Sequence, residues 1–502
     1  MSSSPGAPQA AATTDESLPQ GVLPLWAVFG VALGILAPAS TLALAIGVIM
    51  SQVGALSWIT WAVTSVLVLG FAGGISWLAK RFTTTGGIYG LTTRAAGRGP
   101  GFFVMFAHLA SSLVSGPACV LGAAIYLDAW LRKLGVPYNP WILAGCSALI
   151  AVAVTALSLR EVKLSAKLLL LIEFLTVIVI VALMVVIVFR VPGGPIDGRQ
   201  FDFSGFSLTA VLAVAGFSVF SMAGFDHAVT LGREARNPKR AISLAVIGSV
   251  SACGLLYLIG TYIIVLGFRD LSIEDALNAP LDVLAQRYGV GWLAHLIDPG
   301  VAISFFGSTL GIMAGTSRTV YTMARDGMLP KALSGVDPVH KTPRTAVLAI
   351  GTLYVVVAVL GALLARATTT YALLGTFAGY MLVASYGATV LAAGWYAMKT
   401  RTLGFGIAVS TVLAAFGSGL IYWNSFNPFP QGAKFWVAII FFVAVIAIIG
   451  GYAYLKARKP EVARQIGETD RQTDAEVDAA AVTEVDLTEF DRPTADEPVT
   501  TR

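Results

Sequence analysis

Two carboxylate residues lie in apolar segments of the sequence, where burying an ionisable side chain costs free energy. Glu173 lies within a run of Leu, Ile and Phe residues, and Asp226 directly follows the apolar residues 217–225. Inside a membrane, such groups usually mark the pathway of an ion or a substrate. Burial without a neighbouring cation would favour the neutral form of Glu173, so this side chain could take up and release a proton. The alternative is a structural carboxylate that the hydroxyl groups of a neighbouring helix hold in place.

Two helix-breaking stretches are the second chemical signal. Residues 36–41 read Leu-Ala-Pro-Ala-Ser-Thr, and residues 221–225 read Ser-Met-Ala-Gly-Phe. An unwound backbone in a membrane is tolerated where it lines a protected cavity, and matching breaks in two halves mark the substrate site of inverted-repeat carriers. A half-helix that begins near Ser40 and Thr41 would offer free N–H groups to a carboxylate. A half-helix that ends at the second break would offer carbonyl groups to an ammonium group. A simple kink at Pro38 is the alternative.

The composition indicates the elements that must position these groups. The chain is 56% hydrophobic and 12% charged, with a mean hydropathy of +0.78, whereas soluble domains carry about 25% charged residues. Apolar runs long enough to cross a bilayer as helices lie near residues 25–49, 54–79, 102–127, 139–159, 167–189, 205–231, 242–267, 299–324, 345–364, 370–397, 403–423 and 434–456. The sequence therefore predicts an all-α polytopic membrane protein with twelve transmembrane helices.

Charge predicts orientation and domain boundaries. If both termini are cytoplasmic, the inner loops carry more than twice as many Lys and Arg residues as the outer loops, as the positive-inside rule requires. The first basic residue is Lys80, so we expect no cleaved signal peptide and a multi-pass protein of the plasma membrane. Residues 1–22 and the acidic residues 459–502 are predicted to be disordered tails of a transporter domain at 23–458.

Several classes of function are disfavoured by the sequence. Cys119, Cys146 and Cys253 are isolated in apolar segments, and no metal-ligand spacing or phosphate-binding loop is present, so we expect neither metal, cofactor nor enzymatic chemistry. The basic loops face anionic lipid in this interpretation, and nucleic acid is not an expected partner. The oligomeric state has no signal in the sequence.

Three stretches carry detail beyond hydropathy. Residues 78–89 end in Gly-Gly-Ile-Tyr, residues 217–226 precede a Glu-Ala-Arg-Asn-Pro-Lys-Arg block at 234–240, and residues 318–330 end in Ala-Arg-Asp-Gly-Met-Leu-Pro. Together they resemble bacterial amino acid permeases of the amino acid, polyamine and organocation superfamily. The resemblance implies that helices one to five and six to ten form inverted repeats. It also implies that helices one and six are broken and that the last two helices are peripheral.

The resemblance also implies roles for individual residues. The backbone of helices one and six would hold the amino and carboxyl groups of the substrate, and an aromatic side chain, here Phe220, would close over it; ordinary core packing of Phe220 is the alternative. Proton-coupled relatives use a titratable group on helix five, which makes Glu173 the coupling candidate. Asp226 could gate, cap a half-helix or contact an amine. The candidate substrate-binding residues are Ala37, Pro38, Ala39, Ser40, Thr41, Phe220, Ser221, Met222, Ala223 and Gly224.

A further polar run lies in the third apolar segment. Ser111, Ser112 and Ser115 follow His108 at near-helical spacing, and they could line the cavity or join neighbouring helices. His227, next to Asp226, is expected to pack or to form a hydrogen bond rather than to carry protons.

The sequence thus predicts a secondary active transporter that imports an amino acid or a related amine by alternating access, coupled to protons. An exchanger that swaps an amino acid for its product and a transporter-like sensor that signals through the acidic tail are the alternatives.

Overall fold

The computed structural model describes residues 24–82, 84, 86–160, 166–231, 235–271, 279–337, 340 and 342–467, and these residues form helices joined by turns and loops, with no β-strand among them. The predicted N-terminal tail and residues 468–502 of the predicted C-terminal tail lie outside the described residues.

The first eight helices cover the described chain up to residue 190. They are α1 (Leu25–Leu36), α2 (Pro38–Ser40), α3 (Ile46–Val53), α4 (Ser57–Ala79), α5 (Gly87–Ala96), α6 (Arg98–Lys133), α7 (Pro140–Leu159) and α8 (Ala166–Arg190). A π-helical turn, Thr41–Ala45, joins α2 to α3. The α7 helix begins where its sequence favours a start, since Asn139 accepts a hydrogen bond from the Trp141 amide and Pro140 occupies the first helical position.

Ten further helices complete the described chain. They are α9 (Leu208–Ser221), α10 (His227–Thr230), α11 (Pro238–Gly267), α12 (Pro280–Arg287), α13 (Ala294–Arg325), α14 (Arg344–Leu364), α15 (Ala367–Lys399), α16 (Phe405–Phe426), α17 (Ala433–Arg458) and α18 (Pro460–Gln465). The helical part of the chain extends through α18, whose Ala463 is buried, and thus passes the predicted domain end at residue 458.

The membrane class predicted from composition is confirmed. Ten helical runs in the described residues are long and apolar enough to cross a membrane. One of the ten runs, Leu25–Ala79, is 55 residues long and includes α1 to α4. The apolar helix Leu208–Ser221 is shorter and is not among the ten. The count of twelve spans and the inverted repeat stay predictions.

The α6 helix packs along both α13 and α15, and these are the two most extensive helix contacts in the molecule. Glycines permit the closest approaches: a Cβ added to Gly379 of α15 would lie 1.7 Å from the carbonyl oxygen of Gly216 in α9. Small residues at helix contacts are typical of packing in membranes. By contrast, the apolar windows of α16 and α17 are only 22% and 17% buried, as expected of helices at the periphery.

Candidate substrate site

The first predicted break is an interruption of the helix and not a simple kink. The α1 helix ends at Leu36, and Ala37 has left-handed backbone angles (φ 46°, ψ 65°) before Pro38 begins α2. Proline has no N–H group to continue the helical hydrogen bonds, so the ladder stops here. The Ser40 hydroxyl donates to the Ala37 carbonyl at 2.7 Å and holds the turn.

The second predicted break lies against the first. The α9 helix ends at Ser221, and the chain turns through Gly224 before α10 begins. Gly224 has φ 115°, and a Cβ added there would lie 3.1 Å from the backbone of Ile35, so glycine meets both a conformational and a spatial requirement. The Thr41 hydroxyl donates to the Ser221 carbonyl at 3.2 Å and joins the two breaks directly.

The amide groups at the first break differ from the prediction. Free N–H groups were expected near Ser40 and Thr41, but both amides donate to the Ala37 carbonyl, at 3.1 and 3.4 Å. The left-handed turn at Ala37 brings its carbonyl close to these amides. The Ala39 amide also has a partner, because it donates to Glu173 Oε1 at 2.8 Å.

Glu173 therefore reaches the first break from α8. Its side chain is buried (7% exposed), and its partner is a backbone amide from a residue 134 positions away. The Ser304 hydroxyl of α13 also lies beside this carboxylate, although the two are not aligned as a hydrogen bond. The alternative of a structural carboxylate, held by neighbouring hydroxyl groups, thus differs from the structure, in which a backbone amide at the start of α2 holds Glu173.

The carbonyl groups at the second break are only partly used. The Phe220 carbonyl accepts from the Ala223 amide at 3.1 Å, and that of Ser221 accepts from Thr41. The carbonyl groups of Met222 and Ala223 accept no hydrogen bond from any other residue that the structure describes. This end of α9 therefore keeps acceptors for a donor group, as the sequence predicts.

A cavity lies between the two breaks. It encloses about 570 Å³ of space, part of it open to solvent. Six of the ten predicted substrate-binding residues line it, and four do not. The lining six are Ser40, Thr41, Phe220, Ser221, Ala223 and Gly224, and the other four are Ala37, Pro38, Ala39 and Met222. The serines on α6, Ser111, Ser112 and Ser115, also line this cavity.

Phe220 both lines the cavity and packs against other aromatic rings. Its ring lines the cavity and packs against Phe217 and Tyr371, with centroid distances of 6.0 and 6.2 Å. It is 8% exposed. The Tyr371 ring, which the sequence did not single out, lines the cavity beside it.

Asp226 forms the polar part of the cavity wall with three aromatic neighbours. Its Oδ1 accepts a hydrogen bond from the Tyr386 hydroxyl at 2.7 Å. His108 Nε2 lies 3.6 Å from Oδ2, and His227 Nδ1 lies 3.6 Å from Oδ1, so neither imidazole is within hydrogen-bond length. Asp226 precedes α10, but its side chain does not cap that helix. The capping alternative is therefore not what the structure has.

Among the cavity residues that sequence reasoning missed are three aromatic ones, Tyr371, Tyr386 and Phe305. Tyr386 is 160 positions from Asp226, and nothing in the local sequence of α15 indicates that contact. The spacing of the serines after His108 was the one signal that pointed to α6. In the part of the chain that the structure describes, no group of three His, Cys, Asp or Glu residues could hold a metal ion.

The chain is similar to known transporters along most of its length. A family model described as Amino acid permease matches residues 23–451. An uncharacterized transporter of Mycobacterium tuberculosis is 30% identical over 278 residues, which is 55% of this chain and 59% of the relative. The branched-chain amino acid permease BcaP of Bacillus subtilis is 25% identical over 291 residues, 55% of this chain and 61% of the relative.

The low-affinity putrescine importer PlaP of Escherichia coli is 28% identical over 286 residues, 55% of this chain and 60% of the relative. These matches span about three fifths of the relatives' own lengths. The family model covers far more than half of the chain. The chain therefore belongs to the amino acid permease family.

Proposed function

We propose that this permease is a secondary active transporter that imports an amino acid or a related amine across the plasma membrane by alternating access, coupled to protons. Its twelve transmembrane helices, in inverted repeats of five, would place both termini in the cytoplasm. The family membership, the printed functions of its relatives and the cavity at the two helix breaks support this proposal. Such transport needs no covalent chemistry.

The hydrogen bond between Glu173 and the Ala39 amide is the observation that carries the proposal. A hydrogen bond to a charged carboxylate is about twice as strong as one between neutral groups. Protonation of Glu173 would therefore weaken the contact between α8 and α2. Because Ser40 and Thr41 follow Ala39 and line the cavity, a proton on Glu173 would change how firmly one cavity wall is held. This links proton uptake to the substrate site.

The other break would receive the amino group of the substrate. The carbonyl groups of Met222 and Ala223 are available as acceptors at the end of α9, where the helix dipole favours a cation. The Phe220 ring forms the apolar part of the same wall. Asp226 would act as a gating or coupling group beside it.

Uptake by the purified full-length protein in liposomes tests this function. A labelled panel of amino acids and amines is offered to empty and to substrate-loaded vesicles, with and without an inward proton gradient. We expect concentrative uptake into empty vesicles that collapses with the gradient. Uptake only into loaded vesicles, indifferent to the gradient, would make the protein an exchanger and remove Glu173 from coupling. Absence of uptake for the whole panel would overturn the transport proposal.

Glu173→Gln separates coupling from transport. Glutamine keeps an oxygen that can accept from the Ala39 amide, but it cannot titrate. We expect gradient-driven uptake to fall about tenfold or more, while exchange between loaded vesicles continues. Asp202→Asn is the matched control, because Asp202 is an exposed loop carboxylate remote from the cavity. Equal gradient dependence in Glu173→Gln and wild type would contradict the coupling role.

A further inference from the structure

We propose that Glu173 exchanges its proton with the cavity through two serine hydroxyls of α13, Ser308 at the cavity wall and Ser304 beside the carboxylate. The inference rests on the proposed function, because it gives the route by which the coupling proton reaches Glu173. It is carried by the position of Glu173 behind the cavity wall and by a buried hydroxyl group that has no hydrogen-bond partner.

The Glu173 carboxylate lies behind the cavity wall and not in it. It is 7% exposed and is not among the residues that line the cavity. Its Oε1 accepts from the Ala39 amide, and no residue that the structure describes donates to Oε2. Among the described residues, no Lys, Arg or His acts on this carboxylate, and the ionisable side chains within its electrostatic range are Cys253 and Tyr257 of α11. A proton from the cavity therefore needs intermediate hydrogen-bonding groups to reach Glu173.

The Ser304 hydroxyl is such a group. It lies beside the Glu173 carboxylate, is 6% exposed and forms no hydrogen bond with any residue that the structure describes. The structure describes all of α13, and the other Ser and Thr hydroxyls of this helix donate to backbone carbonyls. They are Ser308, Thr309, Thr316, Ser317, Thr319 and Thr322. A buried hydroxyl without a partner costs free energy, and rotation of the Ser304 side chain would direct its proton to the carboxylate.

Ser308 connects this hydroxyl to the cavity. It follows Ser304 by one helical turn, so the two side chains lie on the same face of α13, with Cβ atoms roughly 5–6 Å apart. Ser308 lines the cavity and is 5% exposed. One water molecule can bridge two hydroxyl groups at such a separation. The two serines therefore form a line from the cavity to Glu173.

One transfer along this line moves a single proton and leaves both serines unchanged. Ser304 gives its proton to Glu173 and takes one from the Ser308 side, and Ser308 takes one from water in the cavity. In the structure, Ser308 donates to the Ile35 carbonyl of α1 at 2.8 Å. A hydroxyl has one proton, so Ser308 cannot donate toward Ser304 at the same time. The route is closed while this bond exists, and proton access to Glu173 thus depends on the position of α1.

A second buried hydroxyl near Glu173 offers a sharp comparison. The Tyr257 hydroxyl also has no hydrogen-bond partner among the described residues, and it lies beside Thr41, which lines the cavity. Glu173 acts on Tyr257 only electrostatically, whereas Ser304 lies directly beside the carboxylate. Removal of each hydroxyl therefore has a different expected result.

Infrared spectroscopy after a pH jump follows the protonation of Glu173 without any substrate. The full-length protein in liposomes is stepped from about pH 8 to a series of acidic values, and the carboxylic acid band of Glu173 is identified by its absence in Glu173→Gln. We expect Ser304→Ala to slow the appearance of this band about tenfold or more, with an unchanged final amplitude. Ser304→Thr, which keeps a hydroxyl, should restore most of the rate. Thermal unfolding in detergent verifies that each variant is folded.

Thr309→Val and Tyr257→Phe are the matched controls. The Thr309 hydroxyl donates to the Phe305 carbonyl of its own helix, so both controls should protonate Glu173 at the wild-type rate. A wild-type rate in Ser304→Ala would overturn the inference and leave proton-coupled uptake intact, and slow protonation in Tyr257→Phe instead would place the route at α11. If the band never appears in the wild-type protein, Glu173 takes up no proton, and the inference fails together with the coupling role of Glu173.

Discussion

Two buried aspartates of this permease have opposite surroundings. Asp298 of α13 is fully buried, and its carboxylate forms an ion pair with Lys133 of α6 at 2.5 Å. The same ammonium group lies 3.0 Å from Asp282 of α12. Asp226 is buried almost as deeply, but its titratable neighbours are two imidazoles at 3.6 Å, and a cavity faces it.

The contrast is between a carboxylate that a lysine pairs and one that faces a cavity. Lys133 ties three helices together, so the charge on Asp298 is compensated within the protein. Asp226 has no lysine or arginine partner among the described residues, and its polar neighbours are the Tyr386 hydroxyl and two imidazoles that carry a charge only when protonated. Buried charges persist only when they are compensated. The two sites should therefore respond in opposite ways when their charges are removed.

The largest effect is expected from Lys133→Met. This change leaves the Asp298 carboxylate buried without its cation, which typically costs about 3–5 kcal/mol. Thermal unfolding in detergent measures the loss. Lys434→Met is the matched control, because Lys434 is exposed and its ammonium group contacts the neutral Gln52. Adding Asp298→Asn to Lys133→Met should recover part of the lost stability. Equal unfolding temperatures for the two lysine variants would break the comparison.

An intermediate effect, of the opposite kind, is expected from Asp226→Asn. The amide oxygen can still accept from Tyr386, and the neutral amide needs no cation in this buried position. We expect stability at pH 8 to stay within about 1 kcal/mol of wild type or to rise, although transport falls. Unfolding in detergent and uptake in liposomes are measured on the same preparation. A loss of stability as large as that of Lys133→Met would mean that Asp226 is structural as well.

The smallest effect concerns Asp197, a carboxylate in the loop between α8 and α9. Hydrogen bonds from Arg199, the nearer at 2.8 Å, hold the pKa of Asp197 below its usual range. Its contribution to stability is thus present above the unfolded-state pKa of about 3.9 and is lost as the pH falls below that value. We expect Asp197→Asn to cost about 1 kcal/mol or less at pH 7, because Arg199 is half exposed.

Unfolding temperatures of wild type and Asp197→Asn between pH 7 and pH 3 measure this difference. The difference between the two proteins should start to shrink as the pH falls below about 3.9, and the proteins should converge only below the lowered folded-state pKa of Asp197. A difference that persists unchanged at pH 3 would indicate that the carboxylate's charge is not the cause. Together, the three variants compare how much stability depends on the charge of a carboxylate that pairs with a buried lysine, of one that faces a cavity and of one that pairs with a half-exposed arginine.

The helix breaks could be predicted because their signals are local. Pro38 and the small residues around Gly224 disfavour a helix wherever they are placed, and the structure interrupts α1 at Leu36 and α9 at Ser221. The class of protein follows from composition for the same reason. Both features depend on residue types and on residues that are adjacent along the chain, which can be read from the sequence without knowing the fold.

The partners of the carboxylates could not be predicted in the same way. Whether Glu173 meets hydroxyl groups or the Ala39 amide depends on the rotation of α8 against α2, and α8 is apolar on all sides, so its periodicity does not specify a face. Likewise, each cavity hydroxyl with an assigned acceptor donates either to the i−3 or i−4 carbonyl of its own chain segment or to a carbonyl of another helix. Free amides were expected at the first break because the left-handed turn at Ala37 was not foreseen.

That left-handed turn gives the first break mechanical consequences. Alanine in this conformation stores roughly 1–2 kcal/mol of strain, which glycine would not. Pro38 also biases residue 37 toward extended backbone, so relaxation would swing α1 away from α2 rather than straighten the helix. Three hydrogen bonds oppose this recoil, from Ala39 to Glu173, from Thr41 to Ser221 and from Ser308 to Ile35. We expect the strain at Ala37 to favour rotation of α1 away from α2 once these three hydrogen bonds break, so that this rotation needs no additional binding energy from the substrate.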